Sequence, residues 1–345
     1  MVEAPVVLIS FNRPEPTRRT FDRIREAAPS ELFLVCDAAR VGHPTDAERV
    51  AEVRRILEDV DWECEVHRLY NVHNRGCEGT VESGLDEVFT QVPAAIILED
   101  DCVPDPTFFG FCDELLTRYA DDERVWQIAG SAYGAVPETF MGNSYAFATF
   151  SSVWGWATWA RAWQRHRELF PRQHPAHRAP GSSGAAPNRP VPPRMTRGAV
   201  QTGGGRRYFA DVANSVDNLE FSWDSQFWLS LIAEGGVAIT PALNHVKNVG
   251  FGEDATYTLS NRKMPEAVPV EFPLKHPDQV QISPEVSRDL EHVMMRSAGR
   301  MARNLRKRMP RGRLTDAARK VATGRAAERV MRAVSRIRGR LRARA

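Results

Sequence analysis

Short apolar runs alternate with amphipathic stretches along the first 130 or so residues of the chain. Pro5 to Ser10, Leu32 to Cys36, Cys64 to Leu69, Ala94 to Leu98 and Val125 to Ala129 have the length and residue types of strands. Between them the apolar positions shift to helical spacing near 16–27, 45–58, 79–90 and 107–119. This βα alternation predicts an α/β fold, with a mainly parallel sheet covered by helices on both faces. The continuous apolar run at Ala94 to Leu98 fits a strand buried on both sides, which Pro104 and Pro106 should end. Farther on, Trp156, Trp159 and Trp163 recur at i, i+3 and i+7, which predicts one core-facing stripe of a helix. A further helical pattern opens near Trp223 and runs to Glu234, and the glycine-broken stretch from Pro241 to Tyr257 reads as a surface loop.

Composition adds two breaks to this pattern. Residues 171–205 are dense in Pro, Gly, Ser and Arg and are expected to form a mobile loop inserted in a domain spanning 1–285. Residues 286–345 hold 19 Lys+Arg against 4 Asp+Glu, so the overall charge of +2 combines an acidic body with a basic tail. In that tail Leu314, Ala317, Ala318, Val321, Val330, Met331, Val334, Ile337 and Leu341 recur at helical spacing. A basic amphipathic helix of this kind is expected to lie on an anionic membrane surface; the same charge would attract nucleic acid, and a purely solvated tail is the plain alternative. No 18-residue apolar run and no signal-peptide pattern occur, so a cytoplasmic enzyme, peripheral on the inner face of the membrane, is the expectation. The five cysteines are odd in number and lack C-x-x-C spacing, which argues against disulfides and structural zinc.

The chemistry concentrates at the end of the fourth predicted strand, where Glu99, Asp100 and Asp101 follow one another. In an open α/β sheet, ligands bind outside the carboxyl ends of the strands. Three adjacent carboxylates there repel one another, and a hard divalent cation also bound to a diphosphate would relieve that. The same acids could instead solvate a strand end or cap the next helix. The first strand is followed by Phe11-Asn12-Arg13-Pro14, with neither G-x-G-x-x-G nor a P-loop in the chain, so a phosphate ligand would rely on a metal and arginines. Asp224 lies in or beside a first helical turn and suits either a general base or a dipole-favoured cap. Trp154 before Gly155 could form a sugar-stacking platform, and His245 could ligate a metal or pack structurally.

Taken together, PVVLISFNRPEPTRRTF, ILEDD, SSVWGWATWARAW, SWDSQFW and NVGFGEDATYT occur in an order that resembles the bacterial GT-A nucleotide-diphosphosugar transferases of the hemolytic-protein-like family. More distantly the chain is similar to eukaryotic N-acetylglucosaminyltransferase I. The motifs span about 5–258. The resemblance implies a GT-A fold and an inverting transfer from a nucleotide-sugar donor to a glycan or lipid-linked acceptor. It implies Mn2+ or Mg2+ on Asp101, with Asp100 and Glu99 beside the donor's ribose and sugar. Arg13 and Asp37 would approach the nucleotide, Arg75 its phosphates, and Asp224 would serve as catalytic base. The low-complexity loop at 171–205 and His245 with Lys247 depart from the family pattern and leave acceptor specificity open. A sugar-nucleotide nucleotidyltransferase or a methyltransferase would need a glycine-rich turn after the first strand, which Phe11 to Pro14 does not provide. A non-catalytic carbohydrate or nucleic-acid binding protein remains a separate class, motivated by the tryptophans and the basic tail.

Overall fold

The computed structural model describes residues 2–132, 134–170, 199–215, 223–250 and 265–294, with the backbone alone at 211–215. Most of the expected 171–205 loop, the GFGEDATYT residues after Gly250, and the basic tail from 295 onward lie outside the described residues.

The first half alternates as the apolar pattern requires. Strand β1 (Val6–Ser10) leads to helix α1 (Pro14–Ala27), β2 (Glu31–Cys36) to α2 (Asp46–Leu57), β3 (Glu65–Tyr70) to α3 (Gly76–Val88), and β4 (Ala94–Glu99) through a short β5 (Cys102–Pro104) to α4 (Thr107–Arg118). Then follow β6 (Val125–Ala129), β7 (Tyr145–Ala148), β8 (Trp156–Trp159), α5 (Ala160–Leu169), α6 (Gly203–Ser215), α7 (Trp223–Ala233), β9 (Val237–Pro241) and β10 (Val246–Asn248). Eight strands form one sheet in the order β3-β2-β1-β4-β8-β6-β9-β7, and β10 pairs with β5 in a separate ribbon. Neighbours are parallel except at β8, antiparallel to both β4 and β6, and at β7, antiparallel to β9. Six of the eight strands therefore share one direction, so the sheet is mainly parallel.

Both faces of the sheet are covered at its centre, where β1, β2 and β4 are almost wholly apolar, whereas the edge strand β3, EVHRLY, is not. Side chains alternate along a strand. Val6, Leu8, Ile96 and Leu98 join Phe21, Ile24, Phe108 and Leu115 of α1 and α4 in one core. Val7, Ile9, Ala95 and Ile97 join Leu85 and Val88 of α3 and Phe227 and Leu231 of α7 in the other.

Three expectations change. Trp156 and Trp159 do not lie on a helix: they end strand β8, where ladders to both neighbours capture residues 156–159, and only Trp163 belongs to α5. At i and i+3 on a strand they face opposite ways, Trp156 into one core and Trp159 into the other. The strand before the acidic triplet ends at Glu99, five residues before Pro104, because the chain turns at Asp100 and Asp101 to enter β5. The stretch after Pro241 is no surface loop up to 248, since His245, Val246 and Asn248 are buried where β10 pairs with β5. Two limits also move: Gly203 to Gly205 of the expected loop open α6, and a helix at 284–294 crosses the expected limit at 285 and buries Val286, Leu290 and Met294.

Candidate functional site

The carboxyl ends of β1, β2 and β4 bring the candidate residues together. Arg13 follows β1 and N-caps α1, whose first turn carries Pro14. From there its guanidinium reaches the turn after β4: it pairs with the Asp100 carboxylate, and its Nη1 lies 2.8 Å from Asp101 Oδ2. Asp100 is buried, accepts from Phe11 N–H at 3.4 Å, and its own carbonyl accepts from Thr20 Oγ1 at 3.0 Å. Its backbone N–H donates to Ile9 O at 2.9 Å, which locks the acidic turn onto β1.

Electrostatics mark the same place. Glu99 is pushed up to about 8 by burial, then by the charges of Asp101 and Asp100, with Asp224 adding to them and Arg13 opposing. Asp100 is raised less, to about 6, because burial is countered by Arg13. Asp224, the second residue of α7, is near enough for its charge to add to the rise of Glu99, and its Oδ1 accepts from Ser225 N–H at 2.8 Å. Trp223 stacks on Trp156 at 5.6 Å and Phe227 on Trp163 at 6.1 Å, so an aromatic core fixes the helix end that carries Asp224.

Two residues in this cleft are absent from the sequence expectations, which start the third helix at 79. Cys77 is exposed on the first turn of α3, and desolvation by the surrounding protein, followed by the charges of Glu99, Asp101, Asp100 and Asp224, raises its thiol well above the usual range. Glu78 accepts from Gln226 Nε2 at 3.0 Å and is raised to about 7 by burial, then by Glu82 and Asp224. The N-x-G segment Asn74-Arg75-Gly76, which the family resemblance puts at the opening of this helix, agrees with the start of α3 at Gly76, ahead of the periodic pattern from 79.

The remaining candidates are placed differently. Asp37 directly follows β2 and is almost fully buried. Its carboxylate accepts from Ala38 N at 2.9 Å, Asn71 Nδ2 at 3.0 Å, Asn74 Nδ2 at 2.8 Å, Arg75 N at 2.9 Å and Gly76 N at 3.0 Å. It therefore caps α3, whose own N-cap Arg75 makes no side-chain cap. The Arg75 side chain is exposed at that end. Trp154 is half-buried beside the core, its N–H bonded to Ser152 Oγ at 3.1 Å. His245 is buried, packs on Phe111 and donates Nδ1–H to Val268 O at 2.8 Å, a structural arrangement whose buried ring is depressed in pKa.

Glu99, Asp100, Asp101 and Asp224 offer carboxylate oxygens, the ligand type that Mg2+ and Mn2+ prefer, although no three of these acids have their oxygens gathered within 4.8 Å of one another. Asp101 is more accessible than Asp100, its side chain 14% exposed against 3%. A separate group able to grasp an ion, Glu31, Glu65 and His67, lies at the opposite end of the sheet, where β2 and β3 begin. Around it His67 Nε2 is 3.1 Å from Glu31 and 3.6 Å from Glu65. An open depression lined by Arg118, Tyr119, Asp121, Asp122 and Arg124 lies at the end of α4, away from the acidic turn.

No protein-family model and no curated protein matches the chain. Among solved structures it is similar to a mannosyltransferase from Pyrobaculum calidifontis in complex with GDP-Man and Mn2+, at 16% identity and TM-score 0.32, covering 68% of this chain and 69% of that one. It is also similar to mannose-1-phosphate geranyltransferase from Thermus thermophilus, at 14% identity and TM-score 0.34, covering 72% and 75%. A third is 4-diphosphocytidyl-2C-methyl-D-erythritolsynthase from Anaerococcus prevotii, at 10% identity and TM-score 0.31, covering 51% and 82%.

Proposed function

We propose that the protein is a metal-dependent, inverting glycosyltransferase of the GT-A type, which moves a sugar from a nucleotide-diphosphosugar to a hydroxyl of a glycan or lipid-linked glycan. The observation that carries this reading is the pairing of Arg13 with Asp100 and Asp101 at the strand ends, next to Glu99 and within electrostatic reach of Asp224. Asp101 is the residue to hold Mn2+ or Mg2+, which when bound would neutralise the donor's diphosphate. Arg13 adds a permanent positive charge at the same point, since its carboxylate neighbours keep it protonated. Arg75, exposed at the N-terminus of α3, would offer its guanidinium to phosphate oxygens, since the backbone N–H groups of Arg75 and Gly76 already serve Asp37.

In the reaction the acceptor oxygen attacks the anomeric carbon while its proton passes to the Asp224 carboxylate. The bond from that carbon to the diphosphate breaks, and the nucleoside diphosphate leaves with the electron pair. Glu99 and Trp154 are assigned to the sugar side of the cleft and Asp100 to the ribose side. Asp37 acts on the nucleotide through the loop it organises, Asn71 to Gly76, because its acceptor positions are engaged there.

The β1–α1 turn favours this reading over a sugar-nucleotide nucleotidyltransferase, because Phe11-Asn12-Arg13-Pro14 offers no glycine-rich loop for a triphosphate. A screen of nucleotide sugars with Mn2+ present tests it. A ligand at 100 times its dissociation constant should stabilise the fold by about 2.7 kcal/mol. The hits should then release nucleoside diphosphate. Release of pyrophosphate from a nucleoside triphosphate and a sugar phosphate would instead establish the nucleotidyltransferase. We assign the basic tail to an anionic membrane surface, where a lipid-linked acceptor would be found.

A further inference from the structure

The carboxylate of Asp101 is enclosed by the turn that follows β10. Pairing of Asn248 with Cys102 in the β5–β10 ribbon sets that turn directly against the acidic triplet. Val249 N–H donates to Asp101 O at 2.8 Å. The Asn248 amide is buried; its Nδ2 approaches Asp101 Oδ1 at 3.4 Å, and its Oδ1 accepts from Gly250 N–H at 2.8 Å. Gly250 stands closer still. A β-carbon there would lie 1.9 Å from Asp101 Oδ2 and 3.1 Å from Arg13 Nη1. Its φ lies outside the left-handed region, so proximity, not backbone conformation, demands glycine at 250. The approach of the ribbon is itself prepared by small residues: β-carbons at Gly130 and Gly155 would stand 2.5 Å and 2.7 Å from the Val246 side chain.

We propose that the Asn248–Gly250 turn is the positioning device for Asp101: the Asn248 amide and the bare Cα of Gly250 hold its carboxylate in one orientation, against Arg13 and toward the cleft. This rests on Asp101 being the cation ligand. Any side chain at 250 must push the carboxylate or the guanidinium aside, and loss of the Asn248 amide frees the carboxylate to rotate. Groups that orient a metal ligand typically change metal affinity by about 10- to 100-fold when removed.

Mn2+ titration of the full-length protein, read by the electron paramagnetic resonance of the unbound ion, tests the device without turnover. Asp101→Asn should abolish binding. Gly250→Ala should weaken it by about 10- to 100-fold, and Asn248→Ala should also weaken it, each with a melting temperature close to that of the parent. Should Gly250→Ala fail to fold, Asn248→Ala, which adds no atoms, decides alone. Loss of binding in Asp101→Asn with parental affinity in the folded turn variants overturns the positioning role and leaves Asp101 as ligand. Parental affinity in Asp101→Asn overturns the ligand assignment itself.

Discussion

At the scale of single residues, the acids of the site differ in how far a cation offsets their crowding. Asp100 and Asp101 share Arg13, which limits the rise of Asp100 to about 6, whereas Glu99 and Glu78 rise further, to about 8 and about 7, through burial and neighbouring carboxylates. Asp224 stands apart as the residue on α7, an element that touches neither β1 nor β4 through a ladder. Its replacement separates chemistry from folding. Asp224→Asn is expected to keep donor affinity and to lose about 10²- to 10⁴-fold in transfer rate, as removal of a general base does. Isothermal titration with the donor and a single-turnover assay measure the two quantities. A parental rate, or loss of the fold, would mean that Asp224 serves the helix and not the reaction. Glu78 gives a pH test. Its folded-state value of about 7 lies above its ordinary value of 4.5, so the folded chain binds the proton more tightly than the unfolded chain. The linkage therefore removes stability as pH rises between those two values, and above 7 the full loss persists. Glu78→Gln keeps an acceptor for Gln226 and removes the charge facing Glu82 and Asp224. Thermal denaturation should show the variant more stable than the parent at pH 8, with the difference shrinking toward pH 5. A constant difference across that range would deny Glu78 its shift.

At the scale of elements, the parts most legible in the sequence are those whose burial is uniform. β1, β2 and β4 lie between two cores, so all but one terminal residue of each is apolar and the strands announce themselves as continuous runs. β8, β5 and β10 do not. β8 has four residues with tryptophan at each end, a spacing that fits a helix as well as a strand, and only its ladders to β4 and β6 decide. β5 and β10 have three residues each, too few for any period to register, and their pairing links residues more than 140 apart. The candidate site shares this division. The acidic triplet and Arg13 are local to strand ends and were legible, whereas the hold of Asn248 and Gly250 on Asp101 depends on that long-range ribbon. Asp37 was legible as a strand-end acid but not as the cap of α3, because the residues it serves lie between 71 and 76. It replaces the cap that Arg75 cannot make. Asp37→Ala should cost at least about 2 kcal/mol, since several donors lose a charged acceptor together. Urea denaturation of the variant should show the lower midpoint. An unchanged midpoint with weakened nucleotide binding would instead assign Asp37 directly to the ligand.

At the scale of the whole molecule, the chain keeps two opposite charges apart along its length. The helix at 284–294 belongs to the body, because Val286, Leu290 and Met294 are buried in the core shared with α7. Its Glu291 reinforces this by accepting from Gln201 N at 2.7 Å and Thr202 N at 2.6 Å beside the start of α6. The basic segment is then best delimited as 295–345, with 18 Lys+Arg against 2 Asp+Glu. No helix among the described residues is long and apolar enough to cross a membrane. The apolar positions of the segment are largely alanine and valine, so its hold on a bilayer should come chiefly from charge. Each basic group near anionic lipid contributes about 1 kcal/mol, and salt screens that attraction. Sedimentation with liposomes is the measurement. The full chain should pellet with vesicles containing phosphatidylserine at low salt and be released as salt rises, whereas a chain ending at Met294, which retains the packed helix, should stay in the supernatant. Retention on neutral vesicles at high salt would show that apolar insertion dominates, and equal partitioning of both chains would end the membrane assignment.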